Sequence, residues 1–380
     1  MPVYLDHNAT TPLNAEVLEV MMPYMTGLYG NPSSVHRYGR LTRDALEQAR
    51  MQVANLVGAQ PKEVIFTSGG TEANNLAIRG VLANRKQSRF AISSIEHASL
   101  LAPSELMEKQ GWQLDSVPVS EQGEVTLDAL QNVITDNTQL LSVMAANNET
   151  GVLQDLTALV EKAKSINSDL FFHSDACQLA GKLPINFAEL KLDLMSLSSH
   201  KLYGPLGAGA LVVKSRVDLS PLIIGGGQEK QKRSGTENLL AIVGFGAAAE
   251  LAARELQQRK AHVFELQTQL IEQLKALQGI VVFSEQAPRL ANTVMFALQG
   301  IDGEALLMLL DRKGFAVSSG SACDSGSAEP SHVLLAMSVK PEIAKGAIRI
   351  SLGEQNTSDD MLQFIEALKD IKYDIRQQFN

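Results

Sequence analysis

A chain of 380 residues is too long for one small core and predicts two domains, or one large domain with a satellite. Hydrophobic residues make up 45% and charged residues 20%, as in a globular protein, and a formal net charge of −9 argues against a broad nucleic-acid-binding face. Two cysteines, Cys177 and Cys323, are too few for a disulfide framework, and with no signal-peptide pattern and no apolar tract of membrane-spanning length they predict a cytoplasmic protein without a membrane partner.

Taken in chain order, Leu41 to Val57 carries apolar residues at helical spacing, Val64–Thr67 has the pattern of a short buried strand, and Glu72 to Asn84 that of a helix. Strands follow near Phe90–Ser94, Leu140–Ala145, Leu170–Ser174, Leu194–Ser198 and Ala210–Val213, with helical stretches between most of them. This alternation predicts an α/β fold built on a mainly parallel sheet, with ligands at the carboxyl ends of its strands. From Gly244 a long helical region runs to about Leu277. It precedes strands at Val281–Ser284 and Asn292–Leu298, a helix at Gly303–Arg312, a strand at Ile348–Leu352 and a closing amphipathic helix at Asp359–Gln378. The expected division is a large domain over residues 15–255, with residues 1–14 and 256–380 forming a smaller α+β domain.

Four segments at successive strand ends carry chemistry. Ser198-Ser199-His200-Lys201 ends a strand before a glycine-rich loop, where a lysine flanked by hydroxyls can form a Schiff base beside a bound phosphate. A surface lysine in a turn is the competing explanation for Lys201 alone. Ser68-Gly69-Gly70-Thr71-Glu72 joins a strand to a helix, where backbone N–H groups and the Thr71 hydroxyl can meet an anion, although such turns are often only turns. Asp175 ends an apolar strand, where a carboxylate can pair with a pyridinium nitrogen or be an ordinary satisfied buried acid; Gln178 can reach a phenolic oxygen. His97 offers an imidazole that can stack on a cofactor ring. The four together point to pyridoxal 5′-phosphate.

On these residues the chain resembles the class V branch of the fold-type I pyridoxal-phosphate enzymes, and within it the cysteine desulfurases of the NifS/IscS type. Asp6-His7-Asn8-Ala9-Thr10-Thr11-Pro12, Asn147-Asn148-Glu149-Thr150-Gly151, Arg233-Ser234-Gly235-Thr236-Glu237-Asn238 and Ser318-Ser319-Gly320-Ser321-Ala322-Cys323 extend the resemblance nearly end to end. It implies a large domain with a mainly parallel seven-stranded sheet and a smaller α+β domain. It further implies Lys201 as the cofactor-bearing lysine, Asp175 opposite the ring nitrogen, Gln178 on the phenolic oxygen and His97 over the ring. Gly70, Thr71, Ser198 and His200 would surround the phosphate, and Asn148 would contact the cofactor or the substrate carboxylate. Thr236 would reach the phosphate of a partner subunit, so a homodimer is implied.

Cys323 lies in a run of small residues, poor in packing groups, where an accessible thiol can ionise and attack sulfur. Asp324 beside it tends to raise the thiol pKa. Cys177, inside the Asp175–Gln178 strand end, is expected to be a buried small hydrophobe. Arg349, in the apolar strand Ala347-Ile348-Arg349-Ile350-Ser351, can grip a substrate α-carboxylate. The expected reaction converts L-cysteine to L-alanine and leaves the sulfur on Cys323 for a sulfur-acceptor protein in iron–sulfur assembly or thiolation, with His97 shuttling protons. No structural metal is expected, though Cys323 can touch an iron–sulfur cluster during delivery. The alternatives are a class V aminotransferase, a selenocysteine lyase, or a non-catalytic sulfur-relay subunit.

Overall fold

The computed structural model describes residues 2–319 and 329–378, so Cys323 lies outside the described residues. Seven strands form one sheet in the spatial order Val64–Thr67, Gly209–Val213, Leu194–Ser198, Phe171–Asp175, Thr138–Ser142, Arg89–Ser93, Gln113–Val117. The five strands from Arg89 to Ser198 run parallel, and Gly209–Val213 is antiparallel to both of its neighbours. The reversal has a simple cause. Residues 199–208 return the chain directly to pair Gly209 with Ser198, and a connection that short cannot make the crossover that a parallel neighbour needs.

Side chains alternate across this sheet. Val64, Phe66, Ala91, Leu141, Phe172, Met195 and Val212 pack on one face, while Ile65, Phe90, Ile92, Leu140, Phe171, Leu194 and Leu211 pack on the other. Both faces are covered, which is why these strands read as unbroken apolar runs rather than alternating ones. Gln113–Val117 escaped the sequence pattern because it is the edge strand. Gln113 and Ser116 are exposed and Asp115 is occupied by an ion pair with Arg89. The helix expected over Glu72 to Asn84 begins at Gly70 and widens into a π turn over Leu76–Gly80. There the Gly80 backbone meets Ser220, whose N–H donates to the Gly80 carbonyl at 2.9 Å.

A second core gathers around an antiparallel sheet ordered Ser318–Ser319, Ala347–Ser351, Thr293–Leu298, Ile280–Val282. Phe364 lies edge-on to Phe296 and Phe315 there, with ring centroids 6.4 and 5.5 Å away. The N-terminal strand Val3–Tyr4 pairs with Phe315–Ala316, and Leu5 is buried in this core. One continuous helix, Leu239–Lys275, serves both cores: Ala241 to Ala252 pack in the first, and Leu266, Leu270 and Leu274 in the second. The division expected near residue 255 therefore falls inside a helix rather than in a linker. Among the described residues no helix is long and apolar enough to cross a membrane.

His173 stands in the middle of the central strand, fully buried, with Ser142 Oγ 2.8 Å from Nδ1 and Ser196 Oγ 2.9 Å from Nε2. Burial lowers its pKa from 6.5 to about 4, against the opposing charge of Asp175. Between those values the unfolded chain binds a proton that the folded chain does not. Stability therefore falls as pH drops from 6.5 towards 4, by about 3 kcal/mol from this group alone. Thermal melts at pH 7.5 and 4.5 should show this loss, and a His173→Asn variant, weaker at neutral pH, should lose less over the same interval.

Candidate active site

The carboxyl ends of the parallel strands converge on one cavity of about 310 Å³. Its wall contains Gly70, Thr71, His97, Asn148, Asp175, Gln178, Ser198, His200, Lys201 and Arg349, all singled out from the sequence, together with Asn8, Ala9, Asn74, Ser99, Met144, Ala146 and Cys177. They arrive on separate segments of the chain, around Asn8, Gly70, His97, Asn148, Asp175, Lys201 and Arg349, so the constellation is a product of topology.

Asp175 is the last residue of its strand, and both of its carboxylate oxygens are held. Cys177 N–H donates to Oδ1 at 2.9 Å and Asn74 Nδ2 to Oδ2 at 2.7 Å. Asn74 Nδ2 also donates to Ser99 Oγ at 2.8 Å, and that oxygen lies 2.8 Å from His97 Nδ1. His97 caps the helix Ala98–Lys109, its Nδ1 accepting the Ser99 N–H at 3.1 Å. With Nδ1 an acceptor, the neutral ring carries its proton on Nε2. Burial lowers the His97 pKa, with the Asp175 charge opposing, which favours that neutral form.

Lys201 follows the strand Leu194–Ser198 on a short 3₁₀ turn, and its Nζ donates to the carbonyl oxygens of Asn8 and Ala9 at 2.6 and 2.7 Å. Gln178 Nε2 donates to the same Asn8 oxygen at 3.0 Å. His200 Nδ1 lies 3.2 Å from Thr10 Oγ1; burial first, and then Lys201, lowers its pKa to about 4. Arg349 is buried, with Nη2 on Asp6 Oδ1 at 2.7 Å and Nη1 on the Asn148 carbonyl at 3.1 Å. The expected fork is thus partly engaged already. Nε has no partner among the described residues, and three of the five guanidinium N–H bonds remain for a carboxylate.

Two predicted residues stand apart. Thr236 is exposed and does not line the cavity. It follows the turn Gln228–Gln231, in which Glu229, Lys230 and Gln231 all have positive φ and which is held by a bidentate Arg50–Glu229 pair at 2.8 and 2.7 Å. Cys323 is outside the described residues, but the chain on either side is anchored at the cavity. Ser318 pairs with Arg349 on the neighbouring strand, Ser331 Oγ donates to Glu149, and His332 Nε2 lies 3.0 Å from the Glu96 carbonyl oxygen. Cys177 is buried as expected, yet it also lines the cavity, and burial together with Asp175 pushes its thiol pKa up. Asp6, Asn8, Asn74 and Ser99 carry much of the geometry and were given no role from the sequence. The only sequence signal was membership of the run Asp6-His7-Asn8 for the first two and nearness to Gly70 and His97 for Asn74 and Ser99.

Residues 3–364 match the family model Aminotransferase class-V. The chain belongs to the class-V aminotransferase family. It is 44% identical over 376 residues to the cysteine desulfurase IscS of Methanosarcina thermophila, covering 98% of this chain and 93% of that one. Among solved structures, a NifS-like protein matches with a TM-score of 0.92 and 36% identity over 98% of this chain and all of that one. SspA in complex with cysteine matches with a TM-score of 0.83 and 32% identity over 93% of this chain and all of that one.

Class-V enzymes of this kind depend on pyridoxal phosphate, and this cavity fits that cofactor. Ser198 Oγ is buried on its wall without a partner among the described residues, a vacant donor beside Gly70 and Thr71 that a phosphate oxygen satisfies. A Cβ at Gly70 would meet Cys177 Sγ at 2.7 Å, so only glycine brings this backbone so close. Gly70→Ala should therefore weaken pyridoxal-phosphate retention on the order of tenfold, the cost of overpacking by one methyl group. Cofactor titration checks this, and Cys177→Ala in the same chain should restore much of the affinity by vacating the contested space.

Proposed function

We propose that this class-V enzyme is a cysteine desulfurase, taking sulfur from L-cysteine, releasing L-alanine and loading the sulfur on Cys323. The observation that carries the proposal is a single cavity combining Lys201, a doubly held Asp175 carboxylate, the neutral His97 ring and the buried, partly engaged guanidinium of Arg349. The desulfurase name of the 44%-identical relative and the bound cysteine of the SspA structure support the same substrate.

Bound here, pyridoxal phosphate supplies an electron sink for bond changes at the substrate carbons. Lys201 would hold it covalently, Asp175 would keep its ring nitrogen protonated, and Gly70, Thr71, Ser198 and His200 would hold its phosphate. Arg349, with Asn148 beside it, would grip the cysteine carboxylate and so orient the substrate in the cavity. Lys201 would also move the proton at Cα, and His97 would give or take one at Nε2. The Cys323 thiolate then attacks the substrate sulfur. The Cβ–S bond breaks as an S–S bond forms, leaving a persulfide on the protein and alanine in the cavity.

A homodimer belongs to this proposal. Val20, Met22, Met25, Tyr29 and Val35 near the N-terminus, with Leu206 and Ile224, are large apolar side chains left exposed, Val35 and Ile224 by 83% and 85%. A second copy is the partner that covers such a face and receives the exposed Thr236 at its own cofactor phosphate. A cytoplasmic setting and delivery of the persulfide sulfur to an acceptor protein for iron–sulfur assembly or thiolation complete the proposal. Val35→Asp should shift the protein towards monomer in analytical ultracentrifugation and lower cofactor retention with it.

The activity itself is tested by incubating the protein with L-cysteine and a reductant and measuring alanine and sulfide. Equal molar release is expected, with at least a hundredfold loss in Lys201→Ala and Cys323→Ser. Undiminished alanine and sulfide from Cys323→Ser would refute transfer to that thiol, and transamination of the cofactor-loaded protein without sulfide would favour an aminotransferase.

A further inference from the structure

Lys182 was given no role from the sequence, yet it touches the groups on which the cofactor lysine depends. One helical turn separates it from Gln178: Ala180 N–H bonds back to the Ala176 carbonyl, and Lys182 and Leu183 N–H bond back to that of Leu179. That turn sets the two side chains side by side. Lys182 Nζ donates to Gln178 Oε1 at 2.9 Å and to Asn8 Oδ1 at 2.9 Å. The same Asn8 offers its backbone oxygen to Lys201 Nζ at 2.6 Å and to Gln178 Nε2 at 3.0 Å.

An amide has two chemically opposite ends, and nothing in a bare glutamine side chain decides which faces a ligand. Here the decision is made from behind. Lys182 donates and the Asn8 carbonyl accepts, so together they turn Gln178 Oε1 to the lysine and Nε2 to the peptide, which leaves one Nε2 N–H for the cavity side. We propose that Lys182 is a positioning residue of the cofactor site, fixing the Gln178 amide so that it presents an N–H donor to the cofactor's phenolic oxygen. This rests on the pyridoxal-phosphate reading of the cavity and goes beyond it in assigning a residue that does not line that cavity. Lys182 lines instead a smaller cavity of about 50 Å³ behind it, with His7, Lys201, Tyr203, Arg259, Lys260 and Glu354.

The surroundings explain why a lysine serves here. Among the described residues Lys182 has no carboxylate ion pair; the charges that act on it are Lys201 and Arg349, and His7 feels its charge in turn. Its amine is therefore held by neutral oxygens alone, Gln178 Oε1 and Asn8 Oδ1. Burial first, then Lys201 and Arg349, lowers its pKa to about 7, and even the neutral amine keeps two N–H donors for those two oxygens. Removing those donors leaves the amide held only at Nε2, by the Asn8 carbonyl, and leaves Asn8 Oδ1 with Asn292 Nδ2 at 3.0 Å.

The test is a pH titration of the visible absorbance of the pyridoxal-phosphate-loaded protein, with cofactor affinity measured alongside. An N–H donor on the phenolic oxygen lowers the basicity of the neighbouring lysine–cofactor nitrogen, so its loss raises the titration midpoint. Lys182→Met should raise the midpoint by roughly half to one pH unit and weaken cofactor binding several-fold. Lys182→Arg, which keeps the donors, should return most of both. In a Gln178→Ala background, where the midpoint is already raised, Lys182→Met should add little further shift. An unmoved midpoint in Lys182→Met, or an equal shift with and without Gln178, would overturn the proposal, the latter by reducing Lys182 to a bare charge. A wild-type protein that develops no lysine-dependent visible band would overturn the cofactor reading itself, and this inference with it.

Discussion

Asn8 is the residue on which the site depends. It is buried, and every polar atom it has is bonded: N–H to Ser351 Oγ, Nδ2 to the Asn148 carbonyl and Thr293 Oγ1, Oδ1 to Lys182 and Asn292, and its carbonyl to Gln178 and Lys201. Buried amides survive only with such partners, because an unmet donor or acceptor costs about 1–3 kcal/mol. These bonds reach from strand ends of the seven-stranded sheet to strands of the antiparallel one. A single carboxamide thus sets the spacing between the lysine side of the cavity and the arginine side.

Around that hub the electrostatics sort themselves by burial. Asp175 has an N–H donor on each of its oxygens, whereas the fully buried Glu96, with Ser93 Oγ and Met144 N–H on only one of its oxygens, has its pKa raised to about 8. The second oxygen of Glu96 has no donor among the described residues, and burial therefore favours its neutral form. The neutral Glu96 also spares His97, its neighbour in the chain, a second negative charge beside Asp175.

How much of this could be read in advance varied with the physics involved. Val64–Thr67, Leu194–Ser198 and Gly303–Arg312 were legible to the residue because buried strands and an amphipathic helix with an Asp302 cap announce themselves locally. The edge strand Gln113–Val117 was not, since its polar residues satisfy an exposed ladder rather than a core. His97, Asn148, Asp175, Gln178, Ser198, His200 and Lys201 were legible because they lie at or just beyond the carboxyl ends of parallel strands, where topology predicts convergence; Gly70, Thr71 and Arg349 were legible from their local motifs instead. Asp6 was not: its partner Arg349 lies at the far end of the chain, and no periodicity connects them. Asn74 and Lys182 were missed for a related reason. They act through Asp175 and Gln178, and a side chain that orients another leaves no pattern of its own.

The placement of the N-terminal strand has a consequence for biosynthesis. Val3–Tyr4 pairs with Phe315–Ala316, and Asp6 meets Arg349. A ribosome delivers the first residues long before the strands that receive them, so the large sheet can form around Lys201 while the segment bearing Asn8 is still undocked. The lysine then lacks the Asn8 and Ala9 carbonyls that hold its amine, and Gln178 lacks the peptide it leans on. Completion of the active site is thereby tied to delivery of the strands that carry Phe315 and Arg349.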